Sequence, residues 1–128
     1  MALAACTDRA SFDDRASFAD IEDAITGGGL EICETADDDD GQANQATASR
    51  QYEVAFDCGS DDIVPVVVDE FGDAADRDAA ARNFESQVRP RGYGAVWTYG
   101  PFTIFTFGER DDAVEEDLTD VLDELGAE

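Results

Sequence analysis

Three cysteines, Cys6, Cys33 and Cys58, are the residues of this 128-residue chain that could do covalent chemistry. A nucleophilic thiol needs a nearby base or positive charge to hold it as the thiolate. The chain has no histidine and no lysine, and its eight basic residues are all arginine. Cysteine catalysis is therefore disfavoured, and histidine-based acid–base chemistry and histidine-ligated zinc are excluded. Cys33 falls in one predicted strand and Cys58 at the end of the next. If those strands are neighbours, the two sulfurs come within bridging reach. A disulfide there closes about 26 residues, adds roughly 3 kcal/mol on the chain-entropy estimate, and belongs to an oxidising compartment. The alternative is a pair of buried apolar thiols in a cytoplasmic protein.

The carboxylates are too many to mark a site. The chain carries 32 Asp and Glu against 8 Arg, a formal charge of −24. Adjacent acids such as Asp61 and Asp62, or Asp69 and Glu70, could work as acid–base pairs, yet at this density such pairs arise by chance. No catalytic residue is assigned, and the chain reads as a non-enzyme. Asp37 to Asp40 precede Gly41, which invites comparison with a calcium loop. An EF-hand requires an acid at its first position and a glutamate at its last. Placing Gly41 at the loop glycine puts Ala36 and Thr47 there, so no metal ligands and no cofactor are expected. Nucleic acid is not an expected partner, because phosphate binding needs clustered basic residues. Arg89, Arg91 and Tyr93 could form a small anion-binding edge, in competition with local carboxylates.

Arginine as the sole base and Asp exceeding Glu by 21 to 11 resemble the proteins of halophilic archaea. At molar salt the Debye length falls to about 3 Å, so exposed carboxylates scarcely repel one another and keep the chain soluble. In dilute buffer the same charges oppose folding. A functional polyanion, such as a nucleic-acid mimic, would concentrate its charge on one face, whereas these acids occupy every segment.

With 43% apolar residues and clear periodicity, the chain can bury enough surface to fold despite its charge, and its length suits one domain. No apolar run approaches the ~20 residues of a membrane span. Residues 1–16 are expected to be flexible or partly helical; Asp8-Arg9-Ala10-Ser11-Phe12 repeats as Asp14-Arg15-Ala16-Ser17-Phe18, which runs on into the domain. The single domain then covers 17–128. Ser17 with Asp20 reads as a helix start, Phe18, Ile21 and Ile25 share a face, and Gly27-Gly28-Gly29 ends the helix. A strand is predicted over Leu30–Thr35, a mobile acidic loop over about 36–50, and a strand over Gln51–Phe56 with Tyr52, Val54 and Phe56 inward. Ile63–Phe71 is a β-branched strand with Pro65 at its start or on an edge. Asp73 caps a helix from Ala74 to about Gln87, on which Ala80, Phe84 and Val88 align. Strands over about Gly94–Tyr99 and Phe102–Gly108 flank a Gly100-Pro101 turn. A last helix, Asp112–Leu125, has a capping box of Asp112 and Glu115 and stops at Gly126. The expected class is α+β: a two-layer sandwich whose antiparallel sheet of about five strands carries its helices mainly on one face.

Both faces of the aromatic hairpin are apolar. Trp97 and Tyr99 share one side and Val96 takes the other; Phe105 and Phe107 oppose Phe102, Ile104 and Thr106. The hairpin is either central to the core or offers Tyr93, Trp97, Tyr99 and Phe102 as a partner surface, including one for a homodimer.

Leu3-Ala4-Ala5-Cys6 resembles the lipobox of secreted lipoproteins, in which small residues precede a cysteine that is lipidated and becomes the mature N-terminus. The resemblance spans four residues and departs from the family in having no charged and apolar signal regions before it; it implies that such a signal has been lost upstream. One cysteine for a lipid and two for a bridge would account for all three. The segment from Tyr52 to Leu125, with Val66-Val67-Val68, an alanine-rich helix and an aromatic hairpin, resembles uncharacterised haloarchaeal lipoprotein-like domains and implies no activity. The expectation is a non-enzymatic binding or scaffolding domain of a halophile, extracytoplasmic and anchored through Cys6, with an unidentified protein or small molecule as partner. The alternative is a cytoplasmic stand-alone domain, homodimeric through the hairpin. A carboxylate- and metal-dependent enzyme is a distant third.

Overall fold

Ser17 opens the first helix, α1 (Phe18–Gly27), and its backbone N–H donates to Asp20 Oδ2 at 2.9 Å. This contact ties down the helix entry at the predicted start. The glycine triplet closes it, with Gly29 at φ +94° and Leu30 N–H donating to the Ile25 carbonyl at 3.3 Å. The computed structural model describes residues 16–37, 46–59, 63–88, 95–106 and 112–127. The repeat's first copy, Cys6, the Asp38–Gly41 run, Arg89, Arg91, Tyr93 and Phe107 lie outside them.

The strands are β1 (Glu31–Asp37), β2 (Ala48–Ala55), β3 (Val64–Glu70), β4 (Val96–Tyr99) and β5 (Phe102–Thr106); α2 (Ala74–Val88) and α3 (Asp112–Leu125) complete the described elements. They form one antiparallel sheet in the order β1-β2-β3-β5-β4. β1 and β2 run further into the predicted acidic loop than hydrophobic periodicity indicates. Thr35, Ala36 and Asp37 pair with Tyr52, Gln51 and Arg50, because an edge ladder is held by backbone hydrogen bonds whatever its side chains. Pro65 is the second residue of β3, opposite Glu53, and so sits at the start of a central strand as its missing N–H requires.

Alternation assigns the faces. Tyr52, Val54, Val64, Val66, Val68, Trp97, Phe102 and Ile104 point to one side. There Ile21 and Ile25 from α1 and Val114, Leu118 and Leu122 from α3 close over them, all within the core. The approach of α1 to α3 depends on Gly28, where a Cβ would overlap the Val121 Cγ2 methyl. Two helices thus share one face, and α2 covers the other at the β4–β5 end, its Phe84 ring 4.3 Å from that of Phe105. The inward face of α2 is rotated from the predicted one: Arg77 and Ala81 are buried, while Ala80 is only half-buried.

One further expectation is corrected. Phe56 does not continue the inward row of Tyr52 and Val54; it is 47% exposed, because β2 ends at Ala55 and the chain bends there. Glu115 is buried, with its Oε1 3.5 Å from Thr106 Oγ1, and α3 begins at Asp112. The other turns follow the sequence. Asp73 Oδ1 accepts from Asp76 N–H at 2.8 Å, Gly100 takes φ +53° and Gly126 takes φ +100°.

Candidate functional site

The chemistry-bearing residues gather at three places. The first is where α1 meets the outer strands. Tyr52 is fully buried, and its hydroxyl donates to Glu22 Oε2 at 2.6 Å. The same oxygen accepts from Arg50 Nη1 at 2.8 Å, while Arg50 Nε donates to Asp37 Oδ1 at 3.2 Å. The Arg50 guanidinium also lies 4.5 Å over the Phe18 ring, a cation–π geometry. Through Glu22 and Phe18 of α1 and Asp37 of β1, Arg50 of β2 makes the cluster a clasp joining α1, β1 and β2. Sequence reasoning missed it because Glu22, Asp37, Arg50 and Tyr52 are brought together only by the strand register and the seating of α1.

Burial, followed by the Glu22 carboxylate, pushes the Tyr52 phenol well above its ordinary value. A tyrosine of an unfolded chain ionises near pH 10, so the native state holds this proton more tightly. The stability this gives is complete below about pH 10 and is lost as pH rises towards the folded-state value. In an alkaline titration of the native protein, followed by phenolate absorbance, Tyr52→Phe is expected to leave the rise near pH 10 unchanged. A smaller rise in the variant would show that Tyr52 titrates normally. The same substitution should cost about 1.5–3 kcal/mol through loss of a hydrogen bond to a charged group.

The second place is the sheet face towards α2. Ser49, Asp69, Thr103 and Thr98 occupy neighbouring positions across β2, β3, β5 and β4, and all are buried. The Ser49 hydroxyl donates to Asp69 Oδ1. From α2, buried Arg77 reaches the hairpin turn, its Nη1 2.6 Å from the Gly100 carbonyl oxygen and its Nε 3.0 Å from Asp78 Oδ1. A serine hydrogen-bonded to a carboxylate has the outline of an activated nucleophile, but Ser49 and Asp69 are only 7% and 2% exposed. At that burial the pair serves as a fastener between β2 and β3. Asp69 and Glu70, adjacent in sequence, project to opposite faces of β3, so they do not form a carboxylate pair. Among the described residues no group of three or more carboxylates or cysteines is arranged to hold a metal ion.

The third place is the open edge of β1. Cys33 and Cys58 are joined by a disulfide with their Cα atoms 5.4 Å apart. The β1–β2 register shifts between Ile32 and Glu34, so Cys33 occupies the bulge and is turned towards the bend after β2. Cys58 N–H donates to Glu31 Oε1 at 3.0 Å, fastening the same corner.

The aromatic hairpin resolves differently from the surface expectation. Phe102 is fully buried, with its ring centroid 4.9 Å from that of Phe18, and Trp97 is 7% exposed. Both belong to the core, which withdraws them from a partner surface; Tyr99 is half-buried against the same core. The reason is that β5 is a central strand covered by helices on both faces and that Trp97 and Tyr99 of the edge strand β4 face the same core, which an isolated hairpin pattern does not reveal.

Comparison with protein-family models, curated proteins and solved structures gives no match to this chain. What the residues do is therefore argued from their arrangement. The two polar clusters act as fasteners; among the described residues, the buried side-chain polar atoms without a hydrogen-bond partner are Thr103 Oγ1 in the second cluster and, apart from both, Asp117 Oδ2 on α3. The disulfide is the feature that speaks to the protein's surroundings.

Proposed function

We propose that this chain is a non-enzymatic binding or scaffolding domain that works outside the cytoplasm of a halophile, anchored through Cys6, with its dense acidic surface as an adaptation to salt. The Cys33–Cys58 bridge carries this reading, since disulfides persist in oxidising compartments and are rare in the cytosol. The lipobox-like Leu3-Ala4-Ala5-Cys6 gives the third cysteine a separate role. The charge of −24 supports the halophilic setting. The partner is a protein or a small molecule, and the surface charge disfavours nucleic acid.

The test is the intact mass of the protein from its own host, alkylated with and without prior reduction. A lipid mass on Cys6, with two thiols appearing only after reduction, is the expected result. An unmodified N-terminal region with three free thiols would overturn the reading and leave a cytoplasmic stand-alone domain.

A further inference from the structure

β1 contributes little to the core it borders. Of its seven residues, Ile32 alone is an apolar side chain packed on the core, and Glu31, Glu34, Thr35, Ala36 and Asp37 are exposed. Among the described residues it lies at the end of the sheet and pairs only with β2, through a ladder interrupted at Cys33. An edge strand with so little buried apolar surface belongs to the low-stability end of a fold. The covalent link at its bulge is therefore its strongest attachment. The Cys58 end of that link is exposed, in the bend beyond β2.

We propose that the Cys33–Cys58 bridge is a redox lock on the edge strand: reduction releases β1 from the sheet while β2, β3, β5, β4 and the helices stay folded. The reductant is a dithiol. Its thiolate attacks Cys58 Sγ, forming a mixed disulfide, and Cys33 leaves as a thiolate that takes up a proton. The second thiol of the reductant then displaces Cys58 and closes the reductant's own disulfide, so two electrons and two protons pass to the protein. Departure of β1 bares the β2 edge, a row of backbone N–H and C=O groups able to accept another strand.

This inference uses the same bridge as the proposed function, but it concerns the oxidised chain, and its test uses the purified oxidised full chain. Free thiols in the host protein would defeat the extracytoplasmic reading and leave the outcome below unaffected. Amide hydrogen exchange is measured in molar KCl before and after reduction with dithiothreitol, and on the Cys33→Ser, Cys58→Ser double variant. In the oxidised protein the β2-bonded amides of β1 should exchange within about tenfold of those in β3 and β5. After reduction, and in the variant, they should outpace β3 and β5 by on the order of 100-fold and become insensitive to low denaturant, which marks a local opening. Exchange of β1 together with β3 and β5 after reduction would overturn the proposal, because the bridge would then be adding stability to the fold as a whole. Complete unfolding of both the reduced protein and the variant would overturn it as well.

Discussion

Replacing Phe102 by alanine is expected to destabilise the domain by about 3–5 kcal/mol, the usual cost of removing a fully buried phenylalanine. The site leaves little scope for collapse. Phe102 opens β5, between Glu70 of β3 and Tyr99 of β4, and its ring meets Phe18 at the start of α1. The cavity would sit where strand, hairpin turn and first helix converge. Small domains hold only about 5–15 kcal/mol in total, and each kcal/mol moves the melting temperature by roughly 4–8 °C at 60–100 residues and by less in larger domains. Thermal unfolding in molar KCl should therefore show a fall of at least 10 °C, or no cooperative transition. A partner-surface residue would behave in the opposite way, with an unchanged midpoint and an altered oligomeric state. That pattern would sink the assignment of the hairpin to the core.

Removing salt is expected to have an effect of similar size without changing a residue. Two like charges 10 Å apart repel by about 0.4 kcal/mol in water without screening, and at a Debye length of about 3 Å almost none of that remains. The chain carries a net −24. The ion pairs placed among the described residues are few: Arg50 with Glu22 and Asp37, and Arg77 with Asp78. Summed over many carboxylate pairs, the unscreened repulsion reaches the scale of the whole folding free energy. Dialysis from molar KCl into dilute buffer should unfold or loosen the protein, read as a large fall in the denaturant midpoint. Equal midpoints at low and molar KCl would remove the halophilic reading, whatever the composition resembles.

These two expectations draw on different layers of the molecule. The salt response follows from composition, because screening acts on exposed charges regardless of fold. The response at Phe102 needs the neighbours. Its alternation with Thr103 and Ile104 was legible as a strand apolar on both sides, but whether that strand is central or at an edge depends on which strands pair. The same limit explains the misses. Arg77 looks like one of eight scattered arginines until α2 is laid across β4 and β5, and Phe56 looks like the third inward residue of a strand that in fact ends one residue earlier. The Ser17 cap, the glycine stop after α1, the Gly100 turn and the Gly126 stop were readable because each is settled by contacts within a few residues.

The sequence by itself determined the α+β class, the element order, the unusual charge and the candidacy of Cys33 and Cys58 for a bridge. Local periodicity, turn chemistry and net charge need no knowledge of the rest of the chain. Only the tertiary structure decided the strand order β1-β2-β3-β5-β4, the placement of α2 opposite α1 and α3, and the bulge that turns Cys33 towards Cys58. It also assembled the clasp of Glu22, Arg50 and Tyr52. Each of these joins residues that local rules treat as independent, and the free energy that selects among such pairings comes from burying the whole core at once.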